Sequence, residues 1–244
     1  MENNRIVQKR GSEMNSNRKA AIIVGVLFVI ATVAPILSVF PLSVVPLGFL
    51  GSEGDPDYLT AVSANENQVL VGVLLWLTQM ASVVMIPILM FPILRKHSES
   101  LALGYVGARI FEGFFVAANV ISLLSLLSLS REFANAGAPV ASYFQTSGAL
   151  LLAAIDWGSV LLDFPFCLSA LVFNYLLYKS KLIPRWLSVL GLIGGALWLA
   201  TAPVRMFGLS PPMIEILALP IAAQEMILAV WLIVKGFNPS ATAS

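Results

Sequence analysis

Six stretches of the chain are apolar for about twenty residues or more, and most of the polar residues are gathered into the gaps between them. The first runs from Ala20 to Phe40, the second from Gln68 to Leu94 and the third from Leu101 to Leu129. The fourth begins near Asp156 and ends near Tyr178, the fifth covers Trp186 to Phe207, and the sixth runs from Pro211-Pro212 to about Ile233. An α-helix rises about 1.5 Å per residue, so about 20 apolar residues cross the roughly 30 Å hydrocarbon core of a bilayer. The pattern therefore predicts an all-α bundle of six transmembrane helices. Pro41 and Pro46 stop the first helix. Loops are expected at Gly51–Asn67, which holds Glu53, Asp55, Asp57 and Glu66, and at Arg131–Gln145, where Gly137 and Pro139 are breakers. Thr146 to Ile155 is surplus to one span and is expected to form a short interfacial or re-entrant piece. The pattern alone does not distinguish that from an extension of span four over residues 137–155.

Composition agrees with a membrane bundle. Of 244 residues 58% are hydrophobic and 11% charged, against about 25% charged in a soluble domain, and mean hydropathy is +0.88. One transmembrane domain over 20–237 is expected, flanked by a cytoplasmic N-terminal tail (1–19) and a C-terminal tail (238–244), both unstructured. The apolar run after the N-terminal basic residues is too long for a typical signal-peptide core and ends in no small-residue cleavage pattern, so it reads as a signal anchor. The net charge of +1 gives no reason to expect a nucleic-acid partner. Cys167 is the lone cysteine, which excludes an intrachain disulfide and speaks against a thiolate metal site.

The distribution of basic residues sets the expected orientation. With six spans and both termini cytoplasmic, the inner segments hold Arg5, Lys9, Arg10, Arg18, Lys19, Arg95, Lys96, Lys179, Lys181, Arg185 and Lys235, eleven of the fourteen in the chain. Such enrichment is what a correct topology shows. Arg109, Arg131 and Arg205 are the exceptions. Trp157, Trp186 and Trp231 fall near predicted interfaces, where amphipathic rings favour the headgroup region.

Arg109 is the most costly of these exceptions, because it and Glu112 lie inside span three, on one helix face, three residues apart. Counting at about 1.5 Å per residue from the cytoplasmic ends puts Arg109, Glu112, Asp163 and Glu225 roughly 15–24 Å deep. These four form the expected buried polar or ligand-binding cluster. The same count puts Asp156, Arg205 and Glu215 near the outer surface as a second polar group. Glu215, just after the proline pair, also suits a helix N-terminus. Asp156, Asp163 and Asn174 are spaced to share one face of span four. Gly104 with Ala108, and Gly191 with Gly195, are candidate close helix contacts. At matching depth on spans three and six, Arg109 and Glu225 are expected to form a direct ion pair.

No catalytic residue, metal site or cofactor is expected. The single histidine, His97, lies in a basic loop and reads as a solvated residue, so Ser–His, HExxH and bis-His arrangements cannot form. Asp156 and Asp163 lie about two helical turns apart, too far to share one proton.

Several motifs together resemble a known family: Ser-Ala-Asn-Glu-Asn-Gln (63–68), Leu-Ala-Leu-Gly-Tyr (101–105) with Arg109 and Glu112, Leu-Leu-Ala-x-x-Asp-Trp (151–157), Tyr-Leu-Leu-Tyr-Lys-Ser-Lys-Leu-Ile-Pro-Arg (175–185) and Glu-Met-Ile-Leu-Ala-Val-Trp-Leu-Ile-Val-Lys-Gly-Phe (225–237). The chain from about Arg18 is similar to the bacterial integral-membrane family called domain of unknown function 4386. The resemblance implies a multi-pass protein of the bacterial cytoplasmic (inner) membrane and no defined activity. Two departures stand out: Ile155 where the family pattern has a histidine before Asp156, and Asp163-Phe-Pro where it has Gly-Pro-Asn.

Two readings of function follow. One is a protein that binds or passes a small ligand or ion at the mid-membrane cluster. The other is a non-transporting partner (sensor, immunity or assembly subunit) whose buried charges are structural. The lipid bilayer is the expected partner, with a small molecule and a homo-oligomer as open alternatives. The topology predicts that, in a Cys167→Ala background, cysteine at Ser52 reacts with an impermeant maleimide added outside while cysteine at Ser98 does not. The opposite labelling would refute the orientation.

Overall fold

In the computed structural model the described residues are 2–48, 57–135, 141–209 and 214–242, with side chains described from Ser16 onward except those of Ala141 and Thr242. Among them there are no strands. The helices are α1 (Glu2–Ser38), α2 (Tyr58–Ala64), α3 (Glu66–Leu94), α4 (Glu99–Asn135), α5 (Ala141–Ser180), α6 (Arg185–Met206), α7 (Leu219–Val234) and α8 (Pro239–Thr242), with 3-10 turns at Pro41–Val44 and Ile214–Ala218. Six segments are long and apolar enough to cross a bilayer: Ser16–Val44, Glu66–Leu94, Glu99–Asn135, Ser142–Ser180, Arg185–Met206 and Ile214–Val234. The protein is a six-helix, multi-pass membrane protein. Glu53, Asp55, Gly137, Pro139 and the proline pair at 211–212 lie outside the described residues.

The six long helices form a ring in chain order. Each of α1, α3, α4, α5, α6 and α7 packs on the next, and α7 returns to pack on α1. Short connections at 95–98 and 181–184 force antiparallel neighbours, which accounts for most of this order. The closure of α7 on α1 is secured by Arg18. Its guanidinium donates to the backbone carbonyls of Leu232 (3.0 Å), Ile233 (2.7 Å) and Val234 (3.2 Å). These carbonyls end α7 without intrahelical partners, and a cation there also suits the helix dipole.

The apolar interior is divided in two. At the end that carries Arg95, Lys96 and Lys181, here the basic end, Phe28, Met90, Tyr105, Phe173, Leu177 and Leu232 pack together. At the far end Leu42, Leu59, Trp76, Val116, Leu123 and Ile155 form a second cluster. Along α4 the charged pair Arg109 and Glu112 falls between Tyr105 of one cluster and Val116 of the other.

Three expectations are corrected. The segment 146–155 is neither interfacial nor re-entrant, because α5 is one unbroken helix of 40 residues. At roughly 60 Å it exceeds the hydrocarbon core. Its surplus turns are covered by other elements: Phe144 meets Phe133 of α4 edge-on at 5.8 Å, and Gly148 admits the Tyr58 ring of α2. An apolar helix can continue past the bilayer when protein replaces lipid. The N-terminal tail is helical from Glu2; its Glu, Lys, Arg, Gln and Met residues are good helix formers, and the apolar span supplies the nucleus they extend. The C-terminal tail is held in place as well, since the Asn238 backbone N–H donates to the Leu182 carbonyl at 2.9 Å and its side chain to the Lys181 carbonyl at 2.5 Å.

Small residues also divide differently from their spacing. A Cβ at Gly104 would meet nothing within 4 Å, so Gly104 with Ala108 is not a close helix contact, whereas Gly191 opens onto the Asn174 carboxamide. At Gly195 the nearest atom would lie at an ordinary 3.5 Å. The closest backbone approaches are at Gly194, where a Cβ would lie 2.5 Å from the Ile221 nitrogen, and at Gly25, 2.7 Å from the Ala229 carbonyl oxygen. Gly194→Ala should therefore destabilise the protein by about 1–3 kcal/mol through overpacking. Gly104→Ala should be neutral or stabilising by up to about 1 kcal/mol through helix propensity. Thermal unfolding of the two variants in detergent checks the ranking, and equal losses would contradict it.

Candidate functional site

The polar interior resolves into two hydrogen-bonded groups, near enough that Asp163 of the second interacts electrostatically with Glu112 of the first. In the first, Arg109 on α4 bonds Glu112 one turn further along (Nη1 to Oε2 3.1 Å) and Glu225 on α7 (Nη2 to Oε1 3.4 Å). The ion pair expected between spans three and six is present. It does not join ring neighbours: α4 is flanked by α3 and α5, and α7 by α6 and α1. The pair spans the ring interior. Arg109 and Glu112 are 2% and 3% exposed, and the guanidinium sits 5.8 Å from the Tyr105 ring centre and 5.5 Å from that of Phe166.

Asp163 does not join this group. It accepts hydrogen bonds from the Trp198 indole N–H (2.9 Å) and from the Arg205 guanidinium, both on α6. The expected mid-membrane four are therefore three plus one, and Asp163 belongs with the residues assigned to the outer group. A depth count ignores side-chain length; Arg205, on the last turn of α6, reaches inward along its own stem. Asp156 accepts the Gly48 backbone N–H at 3.0 Å, which ties the connection after α1 to α5. Glu215 is exposed on the 3-10 turn before α7. Asn174 packs against Gly191 of α6 and accepts a hydrogen bond from Gln224 of α7 at 3.0 Å. Ile155 is fully buried in the far apolar cluster.

Asp156, Asp163, Arg205 and Glu215 line one cavity of about 560 Å³. Its walls come from α1, α3, α4, α5, α6 and the turn before α7. Gln79, Asn119, Ser159, Trp76 and Trp198 also line it, and they lie outside both polar groups expected from the sequence. The signal was present in Gln79 and Asn119, uncharged polar residues within otherwise apolar spans. Local bonds fix several of them: the Trp76 indole donates to Ser38 Oγ at 3.0 Å, and Asn119 donates to Ser159 Oγ at 3.2 Å. Gly158 leaves the space that the Asn119 carboxamide fills. Arg109, Glu112 and Glu225 are not in this lining.

His97 is not a solvated loop residue. It is half-buried between α3 and α4, and its Nε2 is buried with no hydrogen-bond partner among the described residues. Burial, and secondarily the neighbouring Lys96, hold its imidazole below the usual range.

The model of the family described as domain of unknown function (DUF4386) matches residues 23–236, across all six spans. The chain belongs to the DUF4386 family. No curated protein and no solved structure matches it. In this DUF4386 chain Asp163 supplies the carboxylate that Arg205 and Trp198 hold.

The three-residue brace makes a graded prediction. Arg109→Leu leaves two carboxylates without their cation and should cost about 3–5 kcal/mol. Glu225→Gln leaves Arg109 paired with Glu112 and should cost less, and adding it to Arg109→Leu should recover part of the loss. Thermal unfolding of the double-mutant cycle in detergent measures the coupling, and strictly additive losses would mean that the two side chains do not interact.

Proposed function

We propose that this DUF4386 protein is a membrane receptor for a small polar ligand, bound in the cavity between Asp156, Asp163, Asn119, Trp76 and Trp198. The reading rests on one observation above others: a cavity of about 560 Å³ whose lining combines carboxylates, a guanidinium, carboxamides and two indoles. Small-molecule sites have this size and this mixture of apolar wall with a few placed polar groups. With the termini cytoplasmic, as the basic residues suggest, the cavity lies in the outer half of the bundle in the bacterial cytoplasmic membrane.

Binding without passage is the function we infer. On the basic side of the cavity stands the Arg109 brace, and beyond it Tyr105 and Phe173 stack at 4.7 Å with Phe28 at 5.9 Å from Phe173. These rings come from α4, α5 and α1 and fill the ring interior. The buried charges of the brace are then structural, as in the non-transporting reading. We also propose that the protein is not an enzyme; the described lining holds no histidine or cysteine beside its serine hydroxyls to activate them.

A thermal-shift screen of the full chain in nanodiscs against small polar metabolites tests this. A true ligand at about a hundred times its Kd should add about 2.7 kcal/mol of apparent stability, and Asn119→Leu should abolish the shift. A screen with no shift, or a shift untouched by Asn119→Leu, would refute the cavity as the site.

A further inference from the structure

Arg205 shows what the cavity is built to hold. Its guanidinium lies 4.6 Å from the Trp198 ring centre and donates to Asp163. The Trp198 indole N–H donates to the same carboxylate at 2.9 Å, so ring and carboxylate are locked to each other. An aromatic face beside an anchored carboxylate is a binding site for an organic cation, attracting its charge through both the ring quadrupole and the ion pair. In this structure the chain's own arginine fills it.

Arg205 is a loosely held occupant. Its Nε, like that of Arg109, is buried with no hydrogen-bond partner among the described residues, but its side chain is 15% exposed against 3% for Arg109. Arg205 stands on the last turn of α6, followed by Phe207, which is 82% exposed, and by Gly208 at φ +70°. A side chain at a helix end can swing outward without unpacking the bundle. The cavity also carries more negative than positive charge: Asp156, Asp163 and Glu215 face one guanidinium.

Resting on the receptor reading above, we propose that the ligand is a small organic cation, an amine or guanidinium with an apolar body, and that Arg205 is its internal competitor for Asp163 and Trp198. Binding exchanges one cation for another at the box. Glu215 and Asp156 then hold the total charge of ligand plus displaced Arg205 near neutrality.

Four probes of matched length test the class: n-propylguanidinium and n-butylamine as cations, butyrate as anion and butanol as neutral control. Each is titrated at low millimolar concentration into the full chain in nanodiscs, with tryptophan fluorescence and unfolding temperature as readouts. Both cations should bind and the controls should not. Glu215→Gln, at an exposed position outside the packed core, should weaken cation binding at least fivefold. Arg205→Gln removes the competitor and should strengthen it about tenfold, which a merely structural arginine would not do. Cation binding unchanged or weakened in Arg205→Gln would overturn the competitor role. Binding of butyrate or butanol in place of the cations would overturn the ligand class while leaving the cavity as a site. No response to either cation would also overturn the class, and the wider metabolite screen then decides the receptor reading separately.

Discussion

Arg109 places a cation in the buried interior of the bundle, and the arrangement of the helices follows from how that charge is met. Glu112 is within reach along the same helix, but Glu225 must come from α7 across the ring. Helices in lipid gain little from apolar contact with one another, because lipid tails are as apolar as leucine. A polar cross-link between non-neighbouring helices therefore specifies the arrangement where hydrophobic burial cannot. It also explains why the apolar interior is split, since the buried face of α4 turns charged between Tyr105 and Val116.

The two intramembrane arginines show how environment separates structure from exchange. Arg109 is closed in by two carboxylates and two aromatic rings, its side chain 3% exposed. Arg205 has one carboxylate and one indole, with its side chain 15% exposed at a cavity edge. Withdrawing the first would strand buried charge in the centre of the ring. Withdrawing the second would move a guanidinium from the end of a helix toward solvent and leave Asp163 facing a polar cavity. Chemically similar groups thus serve as a brace in one place and as a replaceable occupant in the other.

The far end of the molecule is built by protein beyond the hydrocarbon thickness. The surplus turns of α4 and α5 carry α2 and the connection after α1, joined by the Phe133–Phe144 contact and the Asp156–Gly48 bond. Arg131, one of the basic residues outside the expected cytoplasmic segments, pairs there with Glu66 through both carboxylate oxygens. Of this superstructure, Gly48 and Asp156 reach the cavity lining.

The six spans, the all-α class, the family and the Arg109–Glu225 pair were legible in the primary structure, because each depends on local quantities. Apolar block length decides spanning, and an intramembrane charge at matched depth demands a partner. What tertiary structure decided was everything that depends on where side chains end rather than where they begin. Asp163 left the mid-membrane set because Arg205 reaches inward by the length of its stem, a distance that counting backbone rise cannot contain. The same limit hid the cavity, whose walls come from five of the long helices and a turn, no two of its wall segments adjoining in sequence. Gly104 and Gly194 look alike as letters, yet one faces open space and the other a neighbouring backbone, since helix spacing gives a residue's own face and not what lies opposite. The unbroken α5 is hidden from a local reading for the same reason: its apolar surplus is covered by α2 and α4, and no local pattern distinguishes a surface met by protein from one met by lipid.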